Sequence, residues 1–331
     1  MPTSQPHQHS LDLRALTPAT LPSVFAEYWP AYRRWIRRAP AMTADQCADA
    51  IGTRAPELLG TYATLLGACA NAINASTAER DLVARFLCLC NPPRLVRACS
   101  QLILRDNDDP ILLRTYDHHP DLFDALILRA DFTSPTLAIA DCLWGALEGV
   151  NAHGLGVALA FGGRPVHAAG FAAPFIVRYL LEACATAADA RAALERLPIA
   201  MPYTFVVLDT AGDTLTAMLA PDRPPAFTTQ PASTNHHNAG DWPAYERQTQ
   251  SRERLDAADR LAADNAPLPA ALAAFLAPPL WRTDYARASG TLYASVLRPR
   301  DRRIDLHWPG HNDSVALDPF QPRAFSVTLP T

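Results

Sequence analysis

Cys99 stands at the head of an apolar run, Leu102-Ile103-Leu104, and Arg114-x-x-Asp117 closes a second one, Ile111-Leu112-Leu113. Two short strands joined by the polar turn Arg105 to Pro110 would bring a thiol, a guanidinium and a carboxylate to one end of a sheet. Such a trio can do nucleophilic chemistry, because a neighbouring cation favours the thiolate over the thiol. The place is odd for an ordinary cysteine nucleophile, since a long, mostly helix-like stretch precedes it. It makes sense if the Ala98–Cys99 bond is cut and Cys99 becomes a chain terminus.

The elements that must position these residues fall into two textures. Residues 1–20 show no periodic apolar pattern and read as a disordered tail. From Leu21 to about Leu89 the pattern is helical: Tyr28, Tyr32 and Trp35 recur at helical spacing, and further runs cover Glu57–Ile73 and Thr77–Leu89. Asn91-Pro92-Pro93 ends the last of them, since proline removes a donor and clashes with the preceding turn. Residues 21–98 therefore read as an all-α segment and 99–331 as a mixed domain. Within the latter, strands are expected over Gln101–Leu104, Ile111–Thr115, Leu122–Leu128, Thr136–Ala140 and Leu155–Phe161. A helical block follows over Ala173–Cys184 and Ala187–Leu197, its second half opened by the capping signature Thr186-x-x-Asp189. Tyr203–Leu208 and Thr214–Leu219 flank a hairpin turn, Ala226–Thr234 is a further strand and Gln250–Leu261 a charged helix. The Ala/Pro-rich stretch Ala266–Pro279 reads as a surface connection, and Thr291–Leu297 with Arg303–Trp308 as a last hairpin. Strand runs on both sides of one helical block predict a layered α+β fold with two facing sheets.

Composition narrows the function. With 331 residues and 49% hydrophobic content the chain can bury a large core. A net charge of −4 leaves no basic footprint for nucleic acid. Every basic side chain apart from histidine is arginine, a bias that a GC-rich bacterial genome accounts for. No run approaches the roughly 18 apolar residues of a membrane helix, so no membrane is expected. The polar start from Met1 to His9 lacks the apolar stretch of a secretory signal, and seven cysteines show no framework spacing. A reducing, cytoplasmic setting follows. The pairs His118-His119 and His236-His237 have no carboxylate or thiol spacing to complete a zinc set, so no metal is expected. No recognisable phosphate-binding loop is present, and no cofactor is expected.

Five short motifs stand in order: Cys99-Ser100, Arg114-Thr115-Tyr116-Asp117, Gly149-Val150-Asn151-Ala152-His153-Gly154-Leu155, Leu180-Leu181-Glu182-Ala183-Cys184-Ala185-Thr186, and Thr234-Asn235-His236. In this pattern the chain resembles the acyl-coenzyme A:6-aminopenicillanic acid acyltransferase family of N-terminal nucleophile hydrolases, from about Asn91 to Gly310. The resemblance implies a four-layer αββα fold preceded by a helical pro-segment, self-cleavage between Ala98 and Cys99, and catalysis by the new N-terminal cysteine. Its free α-amine, with a reference pKa of about 7.7–8.0, would be the base and its thiol the nucleophile. Asp117 would orient the amine and Arg114 would favour the thiolate. The Asn235 amide is implied as one oxyanion donor, with a second from the backbone near Phe161 or Gly162. Tyr116 and Phe161 would touch substrate, as would a downstream arginine, Arg254 rather than its rival Arg252. The implied reaction cleaves, or transfers the acyl group of, a small N-acylated amide, the pro-segment staying bound; oligomerisation is left open.

Two positions depart from the family pattern. Thr115 replaces an asparagine, and Gln101 replaces a hydroxyl residue thought to assist self-cleavage. These departures keep open a member that has lost processing and serves as a binding or scaffold protein. A papain-like hydrolase using Cys99, a histidine and Asn235 without cleavage is the third reading. Asn151-x-x-Gly154 reads more simply as a turn, whose residues tolerate positive φ.

Overall fold

Leu11, Leu13 and Ala15 alternate with Asp12 and Arg14, the period-two pattern of a strand. In the computed structural model, which describes residues 9–238, 240–287 and 289–330, this segment is strand β1 (Ser10–Leu16). Helices α1 (Leu21–Ile36), α2 (Ala44–Arg54), α3 (Leu59–Ala72) and α4 (Thr77–Cys88) follow and pack on one another. Six strands come next: β2 (Ala98–Asp106), β3 (Asp109–His118), β4 (Leu126–Asp131), β5 (Pro135–Asp141), β6 (Gly145–Asn151) and β7 (Gly156–Phe161). Helices α5 (Ala173–Ala183) and α6 (Ala187–Arg196) lead to β8 (Tyr203–Leu208), β9 (Thr214–Ala220), β10 (Arg223–Thr228) and the short β11 (Ala232–Ser233). Then come α7 (Pro243–Thr249), α8 (Ser251–Ala263) and α9 (Leu268–Phe275). The last strands are β12 (Thr283–Asp284), β13 (Ser289–Arg298), β14 (Arg303–Trp308), β15 (His311–Ala316) and β16 (Arg323–Thr328).

The fold is mixed α+β. One sheet has nine strands in the order β10-β9-β8-β7-β6-β5-β4-β1-β16; the other runs β11-β2-β3-β13-β14-β15, with β12 on β13. Helix α5 lies against β5, β6 and β7, and α6 against β8 and β9. On the other sheet α8 lies against β2 and β11, and α9 against β2 and β3. The sheets touch through β2 and β7, β3 and β8, and β6 with β13 and β14. The capping signature forms: the Asp189 amide donates to Thr186 Oγ1 at 3.1 Å and the Thr186 amide to Asp189 Oδ2 at 3.0 Å. Among the described residues no helix is long and apolar enough to cross a membrane.

Three expectations need correction. Residues Ser10–Leu16 are not part of a disordered tail. β1 pairs parallel with β4 and antiparallel with β16, burying Leu11, Leu13, Ala15 and Leu16. The stretch Ala266–Pro279 contains α9, because Ala271 and Phe275 fill a small core with Leu102, Leu104, Ile111 and Leu113. The strand expected from Leu122 begins only at Leu126, since Pro120–Leu122 is a 3-10 turn that leaves Leu122 61% exposed.

Candidate active site

Pairing of β2 with β3 sets Cys99 opposite Tyr116, Ala98 opposite Asp117 and Gln101 opposite Arg114. Successive side chains of a strand point to opposite faces. Cys99, Leu112 and Tyr116 accordingly belong to the core between the sheets, whereas Leu102, Leu104, Ile111 and Leu113 join the core under α8 and α9. The hairpin thus distributes the site over both of its faces at one end.

On the inter-sheet face the Arg114 guanidinium is fully buried. Its Nη2 donates to Cys99 Sγ at 3.2 Å, its Nη1 to Tyr293 OH at 3.2 Å and its Nε to the Leu159 carbonyl at 3.2 Å. Glu148 of β6, with no exposure, balances the charge at 3.1 Å from Nη1 and accepts from Ser295 Oγ at 2.8 Å. Burial pushes the Cys99 thiol pKa up; Arg114 pulls it partly back, and Asp117 pushes the same way as burial. For Arg114, burial works against the charged form, but Cys99 and Glu148 outweigh it and hold the pKa above its usual value.

The opposite face carries a second buried cation. Arg254 of α8 donates from Nη1 to Ser100 Oγ at 2.9 Å and from Nη2 to Asn235 Oδ1 at 2.6 Å, and lies 3.3 Å from Asp117 Oδ2. Asp117 Oδ1 accepts from Thr291 Oγ1 at 2.7 Å. Thr291 opposes Asp117 and Tyr293 opposes Tyr116, with a register shift between them. That bulge lets β13 send Thr291 to one face and Tyr293 to the other, although residues two apart would normally share a face. Asn235, held by Arg254, accepts the Cys99 backbone N–H at 2.9 Å and donates from Nδ2 to the Phe161 carbonyl at 3.1 Å.

Cys99 has no solvent exposure, and the segment ahead of it is held by two tyrosines. Tyr203 OH donates to the Leu95 carbonyl at 2.7 Å and Tyr245 OH to the Arg97 carbonyl. Arg97 itself is buried, 2.7 Å from Asp141.

Cys99, Arg114, Asp117, Asn235 and Arg254 therefore converge from β2, β3, α8 and the loop after β11. Arg252, the rival of Arg254, is half-exposed and paired with Glu246 at 3.0 Å. Tyr116 is fully buried with Arg114 over its ring at 5.1 Å, packed on Phe123 and Tyr293. The Phe161 ring packs on Tyr203 and Tyr245, and its carbonyl meets Asn235. The Gly162 N–H donates to the Pro202 carbonyl at 2.8 Å, so in this structure it is committed elsewhere. Asp117 has no contact with the Cys99 nitrogen here; Asn235 takes that place. Asn151 is a turn residue, accepting from the His153 and Leu155 amides at 3.0 Å and tying the turn to the end of α5.

Glu148, Tyr293, Ser295 and Thr291 escaped the sequence reading. A usable signal was there for Glu148, a lone carboxylate inside Ala146-Leu147-Glu148-Gly149-Val150, where burial demands a partner. Glu148→Ala would leave the Arg114 charge without its partner and is expected to cost about 3–5 kcal/mol of folding stability. Urea unfolding in a Cys99→Ala background measures this, and a loss below about 1 kcal/mol would contradict a tightly coupled pair.

The sequence profile of the acyl-coenzyme A:6-aminopenicillanic acid acyl-transferase family matches residues 103–313. No curated protein matches the chain. Among solved structures, similarity extends to a mutant conjugated bile acid hydrolase of Clostridium perfringens, at 11% identity and TM-score 0.48, over 69% of this chain and 96% of that one. The penicillin V acylase of Agrobacterium tumefaciens is similar at 12% identity and TM-score 0.46, over 68% and 90%. The Caenorhabditis elegans orthologue of N-acylethanolamine-hydrolyzing acid amidase is similar at 17% and 0.42, over 61% and 93%.

Proposed function

The chain belongs to the acyl-coenzyme A:6-aminopenicillanic acid acyl-transferase family, and from that premise we propose that it is a self-cleaving amide hydrolase with Cys99 as N-terminal nucleophile. The two sheets with α5 and α6 on one side and α8 and α9 on the other are then the αββα layers of the N-terminal nucleophile hydrolases. The observation that most supports the reading is double occupancy at one residue: Arg114 on the Cys99 sulfur and Asn235 on the Cys99 nitrogen.

In processing, Cys99 Sγ attacks the Ala98 carbonyl carbon. The C–N bond breaks, the nitrogen keeps the electron pair and takes a proton, and a thioester joins Ala98 to the sulfur. Water opens it to an Ala98 carboxylate and the free thiol. In turnover the liberated amine takes the thiol proton while the sulfur attacks the substrate carbonyl. The Asn235 amide stabilises the oxyanion, and the amine returns its proton to the leaving nitrogen. Water then hydrolyses the acyl-thioester. Asp117 anchors Arg254, Arg254 holds Asn235, and Asn235 Oδ1 keeps the amine in place; Arg114 stabilises negative charge on sulfur. Substrate is a small N-acyl amide, with Tyr116 and Phe161 at its acyl side. Release to an amine acceptor in place of water is the second outcome, favoured by the acyl-transfer chemistry of the family.

Two expected results follow here. Because burial raises the Cys99 thiol pKa, the thiolate is a minor species at neutral pH and grows about tenfold per pH unit below that pKa. Self-cleavage of newly made chain, followed by gel electrophoresis, should quicken from about pH 6 to about pH 8; a rate that falls with pH contradicts thiolate attack. The segment ahead of the cut should also stay bound, because β1 sits between β4 and β16 with its apolar residues buried. Both fragments should co-elute on native gel filtration and separate only in denaturant; separation in plain buffer contradicts this.

A further inference from the structure

Arg97, second residue ahead of the proposed cut, is only 5% exposed, and Asp141, at the end of β5, is 2% exposed. Their ion pair is short, 2.7 Å from Nη2 to Oδ2, while Arg97 Nε and Nη1 have no partner among the described residues. Tyr116, Tyr203 and Cys142 are within electrostatic reach of the guanidinium. Asp124 adds a second carboxyl: burial and the neighbouring Asp141 push it up to about 7. The backbone of the same segment is gripped by Tyr203 at Leu95 and by Tyr245 at Arg97.

A buried arginine beside a bond that is to be cut has a further meaning. The carbonyl attacked in processing is that of Ala98, so Arg97-Ala98 takes the position that a substrate's acyl half would take in turnover. When the cut segment yields that place, Asp141 is left as a buried carboxylate without its cation, a costly state unless another cation enters. A carboxylate so placed selects by charge, since an uncharged analogue leaves it unpaired.

We propose that Asp141 is the cation subsite of the acyl pocket, and that the mature protein takes N-acyl amides whose acyl group carries a guanidinium or ammonium at the reach of Arg97. This substrate class rests on Cys99 being the N-terminal nucleophile. Arg97 is its placeholder in the uncut chain.

The test uses self-cleaved full-length protein and three chromogenic amides: acetyl-arginyl-alanine para-nitroanilide, its citrulline analogue, equal in shape but uncharged, and its leucine analogue. Water adds to the alanyl carbonyl and para-nitroaniline leaves with the proton. The arginyl amide should exceed the citrulline amide in kcat/KM by about tenfold or more, as expected for a hydrogen-bonded charge. Asp141→Asn should bring that ratio down to about one. If this variant fails to fold or to cut, the wild-type ratio decides alone. A wild-type ratio below about tenfold, including no turnover of the arginyl amide, overturns the proposal. If the uncharged amides are still cleaved in a Cys99-dependent way, the nucleophile reading stands without it. A chain that never exposes Cys99 as its N-terminus sinks that reading instead.

Discussion

Replacing Cys99 by alanine is expected to leave one unbroken chain and to remove amide hydrolysis by at least about 10⁴-fold, the scale on which enzymes lose rate with their nucleophile. Two reactions should fail together, because in the proposed mechanism the same sulfur attacks Ala98 in processing and the substrate in turnover. The substitution removes a small buried side chain and leaves Arg114 its ties to Glu148, Tyr293 and Leu159, so the fold should survive. Cys99→Ser is the sharper probe. It keeps a nucleophile of similar shape, but the hydroxyl is far less acidic than a thiol, so processing and turnover should both slow rather than vanish. A Cys99→Ala chain that is still cut at the same bond, or that still hydrolyses the amide, would show that another residue does the chemistry.

Asn235→Ala is the second large effect, an expected loss in kcat on the order of 10²–10³, as for removal of one oxyanion donor elsewhere. Asn235 combines two tasks that alanine cannot perform. Its Oδ1 receives both Arg254 and the Cys99 nitrogen, and its Nδ2, which donates to the Phe161 carbonyl in this structure, is the oxyanion donor of the proposed mechanism. Uncut chain should also accumulate, because the scissile nitrogen loses its acceptor. Steady-state kinetics separate the roles: an effect on KM with kcat unchanged would make Asn235 a binding residue and not an oxyanion donor. Asn235→Asp should be worse than alanine, since it sets a negative charge where the oxyanion forms.

The apolar runs that flank Arg105 to Pro110 were enough to foresee the hairpin carrying Cys99, Arg114 and Asp117, because an antiparallel pair with a tight turn has little freedom in register. Asn235 and Arg254 came from motif order, and nothing local in their sequence says that they meet. Arg254 differs from Arg252 only in which side of α8 faces the sheet, and Ser100 and Asp117, on the face that α8 covers, decide it. The contributions of β13 were hidden for a different reason. Thr291 and Tyr293 reach opposite faces only through the bulge between them, which no apolar period reveals. β1 was missed because a single short alternating run is weak evidence until its partners β4 and β16, far along the chain, are known. Gln101 lies fully buried, its Oε1 accepting from Ser233 Oγ at 3.4 Å and its Nε2 without a partner among the described residues.

Buried polar groups dominate this site. Arg114 and Arg254 together bind Glu148, Asp117, Ser100, Tyr293 and Asn235, and each has lost its water. Such networks cost desolvation, and they hold geometry tightly only when nearly every donor and acceptor is met. That is the condition a preorganised nucleophile and oxyanion donor require.

Intact-mass measurement of the purified protein, with N-terminal sequencing of its larger fragment, tests the central claim most directly. The account predicts two fragments, the larger beginning at Cys99, in a preparation that hydrolyses an N-acyl amide. A single chain spanning Ala98–Cys99 unbroken, yet fully active, would contradict it.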